Sequence, residues 1–596
     1  MRRTIAKAFG MLPLRLRRRW LMLAPLAAVS AVLEMVGTFG VLVLVRLIAD
    51  PHGSEANEAL VRLSGWIAVD DVERTTVLFA AGLGLFYAVK NVMRLGEAYI
   101  QSRCAGKTTV YLSSGLVDRY LRAPYLLHLE RNSADLTRLA ADAANGVALV
   151  TLGSVIALTS EVLVVLGMLA VIVWRTPYSA LVAAALLGVV LALLTWLTQS
   201  THTRWGKLLH EIGIRHFKTL QQNFAGAKEI QTLGRQRFFV SAYERLRDRE
   251  QSIVAKRQAL AWAPRLAVET LFVAGLALLF IVARSDASSS AETTATLGVL
   301  AYAGLRLLPS LHLIVYRINL IHEGQAHVDA VFEDWSGLRE YADDGSPEPE
   351  PLPLREALTF RNVGYRYAGA AQDALAHVDL EIRAGESIGL VGETGAGKST
   401  LADLALGVLT PTSGSIEIDG ATLSGREGEW QRSIGYVPQA PQLIDDTLTR
   451  NIALGLADDR VDRRLLKQAV RAAQLDGFVA RLPAGLDTVI GERGARISGG
   501  ERQRIAVARA LYRDPSILIF DEATASLDNQ TEQSLTDTIE ALKGQKTLLV
   551  IAHRLTTVER CDRIVFLSGG GILDIGPYSD LVARNERFRL LARVKN

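Results

Sequence analysis

Cysteine is almost missing: the 596 residues hold two, Cys104 and Cys561, far apart in halves of different character. No disulfide framework and no cysteine metal site can be assembled from them, so ordinary packing is their reading. An excess of one charge sign is also absent. Lys and Arg number 66 against 62 Asp and Glu, a formal net charge of +4, too small to point to nucleic acid as a partner. Charged residues make up only 21% of the chain and hydrophobic ones 49%, and mean hydropathy is +0.20. A chain of this length exceeds one ordinary domain, and the average hides two halves. Before about Glu323 lie several long apolar runs; after about Leu354 the residues read as a soluble α/β protein.

The N-terminus carries Arg2, Arg3, Lys7, Arg15, Arg17, Arg18 and Arg19 before an apolar run from Trp20 to Ile48. A secretory signal also starts basic, but its apolar core is shorter and ends at a small-residue cleavage site. This run is long enough to span a bilayer, so a retained first membrane helix is predicted. Five further stretches have spanning length: 76–98, 147–174, 178–197, 264–283 and 295–321. Arg and Lys gather in the N-terminus and in the connectors 101–145 and 200–263, whereas the 49–75 loop is acidic on balance and the 284–294 loop is mostly small and polar. The positive-inside rule then places both termini and both long connectors in the cytoplasm, with the protein as a multi-pass protein of the inner membrane. Only Arg175-Thr-Pro177 joins spans three and four. The connectors are rich in helix formers, so helices are expected to continue into the cytoplasm. The acidic, proline-rich stretch Ala342–Pro353 reads as a flexible linker. The organisation expected is a multi-domain chain: an all-α six-helix transmembrane domain over 1–340, a linker over 341–354, and an α/β P-loop nucleotide-binding domain over 355–596, opened by strand-like Leu358–Val363.

Chemistry concentrates in the second half. Gly392-Glu-Thr-Gly-Ala-Gly-Lys-Ser-Thr400 follows the apolar run Ser387–Val391 and leads into Leu401-Ala-Asp-Leu-Ala-Leu406. A strand, a glycine loop with G-x-x-x-x-G-K-S spacing and a helix make a phosphate cradle. Glycines let backbone N–H groups turn toward the phosphates, and the helix N-terminus adds its positive dipole end. Gly392, Glu393, Thr394, Gly395, Ala396, Gly397 and Thr400 would form the cradle, Lys398 would reach the β- and γ-phosphates, and the Ser399 hydroxyl would ligate Mg²⁺. Farther on, Ile517-Leu-Ile-Phe-Asp-Glu522 is an apolar strand ending in two carboxylates. Paired with the loop, Asp521 is expected in the Mg²⁺ shell and Glu522 beside the attacking water. Read alone, the same residues would be a buried strand and a solvated acidic turn.

With these motifs in order, the chain resembles the ATP-binding cassette (ABC) family over essentially its whole length. Ile497-Ser-Gly-Gly-Glu501 resembles the family signature, with Glu501 where glutamine is usual; glutamate keeps an acceptor and loses an amide donor. The resemblance implies that Ser498, Gly499 and Gly500, with Glu501, meet the γ-phosphate of an ATP held by the opposite subunit. It also implies that Tyr367 stacks on adenine, that Gln439 touches Mg²⁺ and relays nucleotide state, that Asp528 makes a dimer contact and that His553 meets the γ-phosphate. Gly491-Glu-Arg-Gly494 resembles a loop placed against intracellular helices, and short docking helices are expected near Arg131–Ala140 and Arg215–Gln222. One cassette cannot enclose ATP, so the chain is expected to dimerise. Because Glu522 and His553 are both intact, a homodimer with two working sites is the simplest reading; a heterodimer stays open.

Cargo is less legible. Ionisable groups inside spans default to functional hypotheses. Lys90 and Arg94 lie four apart and Arg306 and Arg317 eleven apart, so each pair shares a helix face. Glu34, Glu161, Arg265 and Glu269 are further charges at or near membrane depth. A basic cavity for an anionic head group and a set of internal ion pairs are both open. His128-Leu-Glu-Arg-Asn-Ser133 and Leu305-Arg-Leu-Leu-Pro309 resemble flippases of lipid-linked oligosaccharides, which makes such a lipid, or another phosphate-bearing lipid, the first expectation. Peptide, drug or glycolipid export are the alternatives. A P-loop ATPase merely tethered to the membrane needs one anchor, not six spans, and a channel that ATP only gates would not require Glu522. Glu522→Gln is expected to keep ATP binding, to trap a closed dimer, and to lower turnover by on the order of a hundredfold or more. Steady-state ATPase and nucleotide-trapping assays check this, and normal hydrolysis in the variant would remove Glu522 from the role of base.

Overall fold

The computed structural model describes residues 1–49, 72–175, 177–285, 308–343, 345, 347–491, 497–521, 529–552 and 554–595. They divide into two compact units. One comprises residues 1–123 and 128–344, the other residues 345–596 together with the short segment 124–127.

The first unit is helical. Its long helices are Leu14–Ala49, Val72–Arg122, Gly153–Arg175, Pro177–Ala225 and Gln236–Ser285, followed by a helix over 308–323 and Gln325–Gly337. Three stretches among the described residues, Leu14–Val41, Thr76–Arg122 and Ser133–Ala170, are long and apolar enough to cross a membrane. Helices also run through 178–197 and 264–283, and the sixth expected span, 295–321, is described from 308 onward. The outward face of Val72–Arg122 is apolar, with Val77, Leu85, Val92 and Leu95 exposed, as a lipid-facing surface requires. Helices meet through small residues: a Cβ on Gly40 would stand 2.7 Å from Leu83, and one on Gly167 would overlap Met35 Sδ. Small residues at contacts let membrane helices approach where no hydrophobic driving force separates helix from lipid.

Of the two short helices expected in the connectors, one is present near its expected place and the other is displaced. Residues 215–222 lie inside the unbroken helix Pro177–Ala225; the break comes at Gly226 (φ −92°, ψ 18°), and the short helix is Ala227–Thr232. In the first connector the expected stretch 131–140 holds the short helix Ser133–Arg138, capped by Asn132, and the start of a π-helical turn at Leu139–Ala143; a further short helix, Tyr125–Glu130, precedes it. Runs of helix formers hide such breaks, because they are made by a proline or glycine and not by a loss of periodicity.

Lys90 and Arg94 do share a helix face, and two carboxylates from other helices meet it. Lys90 Nζ donates to Glu34 Oε2 at 2.9 Å and stands 4.1 Å from the Tyr87 ring centroid. Arg94 lies 3.6 Å from Glu34 Oε2 and donates to Glu161 Oε1 at 3.2 Å. Glu34, Lys90 and Glu161 are buried and Arg94 is half exposed. Two cations and two carboxylates make a neutral set that ties three helices together.

In the second unit, β1 (Ala357–Tyr365), β2 (Leu375–Arg383), β4 (Ser413–Ile418) and β5 (Ala421–Thr422) form an antiparallel sheet ordered β2-β1-β4-β5. A second sheet joins β3 (Ser387–Gly392), β6 (Ile434–Val437), β7 (Ile517–Asp521), β8 (Thr547–Ile551), β9 (Arg563–Ser568) and β10 (Gly571–Gly576), ordered β10-β9-β3-β8-β7-β6. Five of these strands are parallel, and β10 runs antiparallel on the edge. Alternation splits the core in two: Leu518, Phe520, Leu548, Val550, Ile564 and Phe566 face one cluster, and Ile517, Ile519, Leu549, Ile551, Val565 and Leu567 the other. Strands buried on both faces must be apolar throughout, which is why β3, β7 and β8 read as continuous apolar runs.

Replacing Lys90 by Met leaves Glu34 buried without its nearest partner, which is expected to destabilise the helical unit by about 3 kcal/mol. Thermal unfolding of the purified full chain checks this, and a Lys90→Met/Glu34→Leu double variant should recover most of the loss. A single variant as stable as the parent would show that the pair does not hold the helices.

Candidate functional site

Because β3, β8, β7 and β6 are parallel neighbours in register, their C-terminal ends line one edge: Leu390 pairs with Ile551, Ile551 with Asp521, and Phe520 with Val437. Ligands of open α/β sheets bind at that edge. The glycine loop leaves β3 there. Gly395 and Gly397 have φ of +82° and +97°, the left-handed region where a side chain is strained. A Cβ on Gly397 would also stand 2.6 Å from the Ala374 carbonyl oxygen. The helix Lys398–Ala405 begins directly after Gly397 with no side-chain cap, so its first N–H groups are donors facing the loop. Lys398 is 5% exposed and arches back over the loop, donating from Nζ to the Gly392 and Glu393 carbonyls at 3.0 and 2.9 Å. The Tyr367 hydroxyl lies 3.2 Å from Thr400 Oγ1, so the expected adenine-stacking aromatic does sit beside the loop, on the edge of Tyr365.

Asp521 closes β7, and the Tyr436 hydroxyl donates to its Oδ2 at 3.4 Å. Asp403, one turn into the loop helix, was not singled out from sequence. Burial and the nearby Asp521 carboxylate push its pKa up to about 6, and burial with the same two carboxylates pushes the Tyr436 phenol upward. Two carboxylates, Asp403 and Asp521, thus lie near each other beside Tyr436. Ser399, Gln439 and Asp521 offer oxygen donors only, a set that fits a hard divalent cation. The signal for Asp403 in the sequence was an acidic residue inside an otherwise apolar helix.

Ser498 caps the helix Gly499–Leu511, and Glu501 closes a capping box on it. Ser498 N–H and O–H both donate to Glu501 Oε2, at 3.0 and 2.8 Å, and Glu501 N–H returns a bond to Ser498 Oγ at 3.2 Å. Ser498 and Gly499 are exposed and Gly500 is buried. Farther along the helix, buried Gln503 donates to the Pro438 carbonyl at 3.2 Å, next to Gln439. Arg509 donates to the Gln442 and Asn451 carbonyls at 3.0 and 2.8 Å. Gln503 belongs to the Arg502-Gln-Arg504 run that follows the signature; Arg509 carries no sequence signal of its own. Glu522, Asp528, His553 and Glu492–Gly494 lie outside the described residues, as does Arg306.

Of the remaining sequence candidates, Arg317 lies on the 308–323 helix with its Nε buried and without a hydrogen bond, and with its guanidinium 5.7 Å from the Tyr316 ring. The His128–Ser133 motif is engaged locally. His128 Nε2 meets the Tyr120 carbonyl at 2.8 Å, Arg131 binds both oxygens of buried Asp334 at 2.8 Å, and Asn132 caps a helix.

Residues 26–287 match the family model described as the ABC transporter transmembrane region, and residues 375–525 the one described as ABC transporter. The chain is similar to the "ATP-dependent lipid A-core flippase" of Xanthomonas campestris pv. campestris, 30% identical over 569 residues that cover 94% of this chain and 91% of that protein. It is also similar to the protein of that name from Thiobacillus denitrificans, 31% identical over 88% of this chain and 90% of that one. A solved bacterial Atm1-family ABC exporter with ATP bound shares the fold, with a TM-score of 0.80 over 98% of this chain and 99% of the other at 24% identity. The phosphate loop, the strand-end carboxylate and the capped signature helix thus occur in a chain matched along nearly its full length, and the chain belongs to the ABC transporter family as a membrane-spanning, exporter-type protein that binds ATP and couples its hydrolysis to transport.

Proposed function

We propose that this chain flips a phosphate-bearing amphipathic lipid of the lipid A-core kind across the inner membrane, working as a dimer of two identical chains. The observation that carries this reading is the likeness to flippases of that name over more than nine-tenths of both proteins. The lipid-linked oligosaccharide expected from two short motifs gives way to this broader class; both lipids present phosphate and sugar to the protein. In the dimer, the loop of one chain and Ser498 of the other enclose each ATP. Lys398 and the Gly392–Thr400 backbone hold the phosphates, and Tyr367 packs on adenine. Ser399, Gln439 and Asp521 hold Mg²⁺, Glu522 activates water, His553 contacts the γ-phosphate, and Asp528 joins the dimer contact. ATP-binding domains and both termini face the cytoplasm, as the basic connectors favour.

For the head group, Arg306 and Arg317 are the proposed phosphate contacts. Support comes from the buried Arg317 Nε, which has no hydrogen-bond partner among the described residues; a guanidinium matches phosphate geometry. Lys90 is matched by a carboxylate and holds helices together, whereas Arg94 keeps an exposed edge from which it can meet an anion.

In proteoliposomes, ATPase activity is expected to rise most with a phosphorylated, multiply acylated glycolipid, compared with polyprenyl-pyrophosphate sugars, plain phospholipids and peptides. Stimulation confined to peptides would overturn the lipid reading. Arg306→Ala should leave basal ATPase unchanged and lower lipid transport by roughly tenfold; unchanged transport would remove the basic cavity from the account.

A further inference from the structure

Glutamate at the signature position changes what its surroundings must supply. Ser498 N–H and O–H both end on Glu501 Oε2, while the other oxygen, Oε1, accepts from Arg481 Nη2 at 3.0 Å. The carboxylate thus divides its two oxygens between the helix cap and the guanidinium. A glutamine has one acceptor oxygen; its amide nitrogen would face either Ser498 or Arg481, and against Arg481 it would set donor against donor. Arg481 therefore suits Glu501 and not the usual residue. It ends the helix Asp476–Arg481, twenty residues upstream, and is largely exposed, whereas Glu501 is 19% exposed.

Charge makes the pairing consequential. The N-terminus of the helix Gly499–Leu511 favours an anion, and in this structure the anion there is Glu501 itself. A γ-phosphate arriving at Ser498 meets that carboxylate within a few ångströms, and like charges in a partly desolvated seam repel. Arg481 is the cation whose nitrogen contacts the carboxylate.

We propose that Arg481 is a positioning residue of the ATP site: it holds the Glu501 carboxylate to one side and neutralises it, so that Ser498 can turn its hydroxyl to the γ-phosphate of the ATP bound by the partner subunit. This role rests on the reading of Ser498 as the γ-phosphate contact. Arg481 itself touches no nucleotide; it acts through Glu501.

The test is ATP kinetics of the full-length transporter in lipid nanodiscs. Arg481→Gln is expected to raise KM for ATP by roughly fivefold at low ionic strength, with kcat within about twofold and the defect shrinking as salt screens the carboxylate. Arg481→Lys should restore a KM near the parent's. In a Glu501→Gln background, Arg481→Gln should change KM by less than about twofold, because no carboxylate is left to neutralise. An unchanged KM in Arg481→Gln overturns the proposal, and so does an equal defect with Glu501 and with Gln at that position, which would mean a structural role. Ser498→Ala separates the two readings: if it leaves KM and kcat unaltered, the signature contact itself is wrong. If Ser498→Ala impairs the enzyme while Arg481→Gln does not, only the role of Arg481 falls.

Discussion

The fixed position of β3 is the constraint on which the ATP-binding unit depends. It is paired on one side with β8 and on the other with β9, and both its faces are buried. A strand held this way cannot shift, so the loop that leaves it starts from a fixed point. Two glycines with positive φ then turn the backbone N–H groups inward, and Lys398 ties the loop carbonyls from above. Preorganised donors in a dry setting bind anionic phosphate better than donors that must first be ordered. The neighbouring parallel strands deliver Asp521 and Gln439 to the same edge. The sheet order, and not any single motif, brings them together.

The membrane unit solves a different problem with similar means. A lone charge at membrane depth is costly, and a buried pair is tolerated when geometry and hydrogen bonds are good. Glu34, Lys90, Arg94 and Glu161 answer with two charges of each sign across three helices. Trp20 does the same for a polar group, donating from its indole to Thr108 at 3.0 Å with its ring fully buried. Contacts of this kind select one packing of apolar helices, which dispersion alone distinguishes poorly.

What was legible in the sequence follows from distance along the chain. The glycine loop, the strand before it and the carboxylate strand are local patterns, and spacing alone identifies them. Lys90 and Arg94 could be put on one face from a four-residue separation. Their partners Glu34 and Glu161 lie 56 and 67 residues away, and no periodicity announces them. Arg481 escaped for the same reason, since its relation to Glu501 exists only once a short helix and the signature helix have packed. The connector breaks escaped for another. Gly226 interrupts the helix with backbone angles open to any residue, and the π-helical turns at Leu139–Ala143 and Gly146–Leu152 leave composition unchanged.

The signature helix joins a local cap to a segment distant in sequence. Its first turn carries Ser498 and Glu501, its middle Gln503 grips the Pro438 carbonyl, and Arg509 holds the Gln442 and Asn451 carbonyls. Thirteen residues of helix, Gly499–Leu511, thus connect the place where a γ-phosphate is expected to the loop that contains Gln439. Glu501 sits in the first turn of that helix, so the residue that departs from the usual signature is also part of its cap.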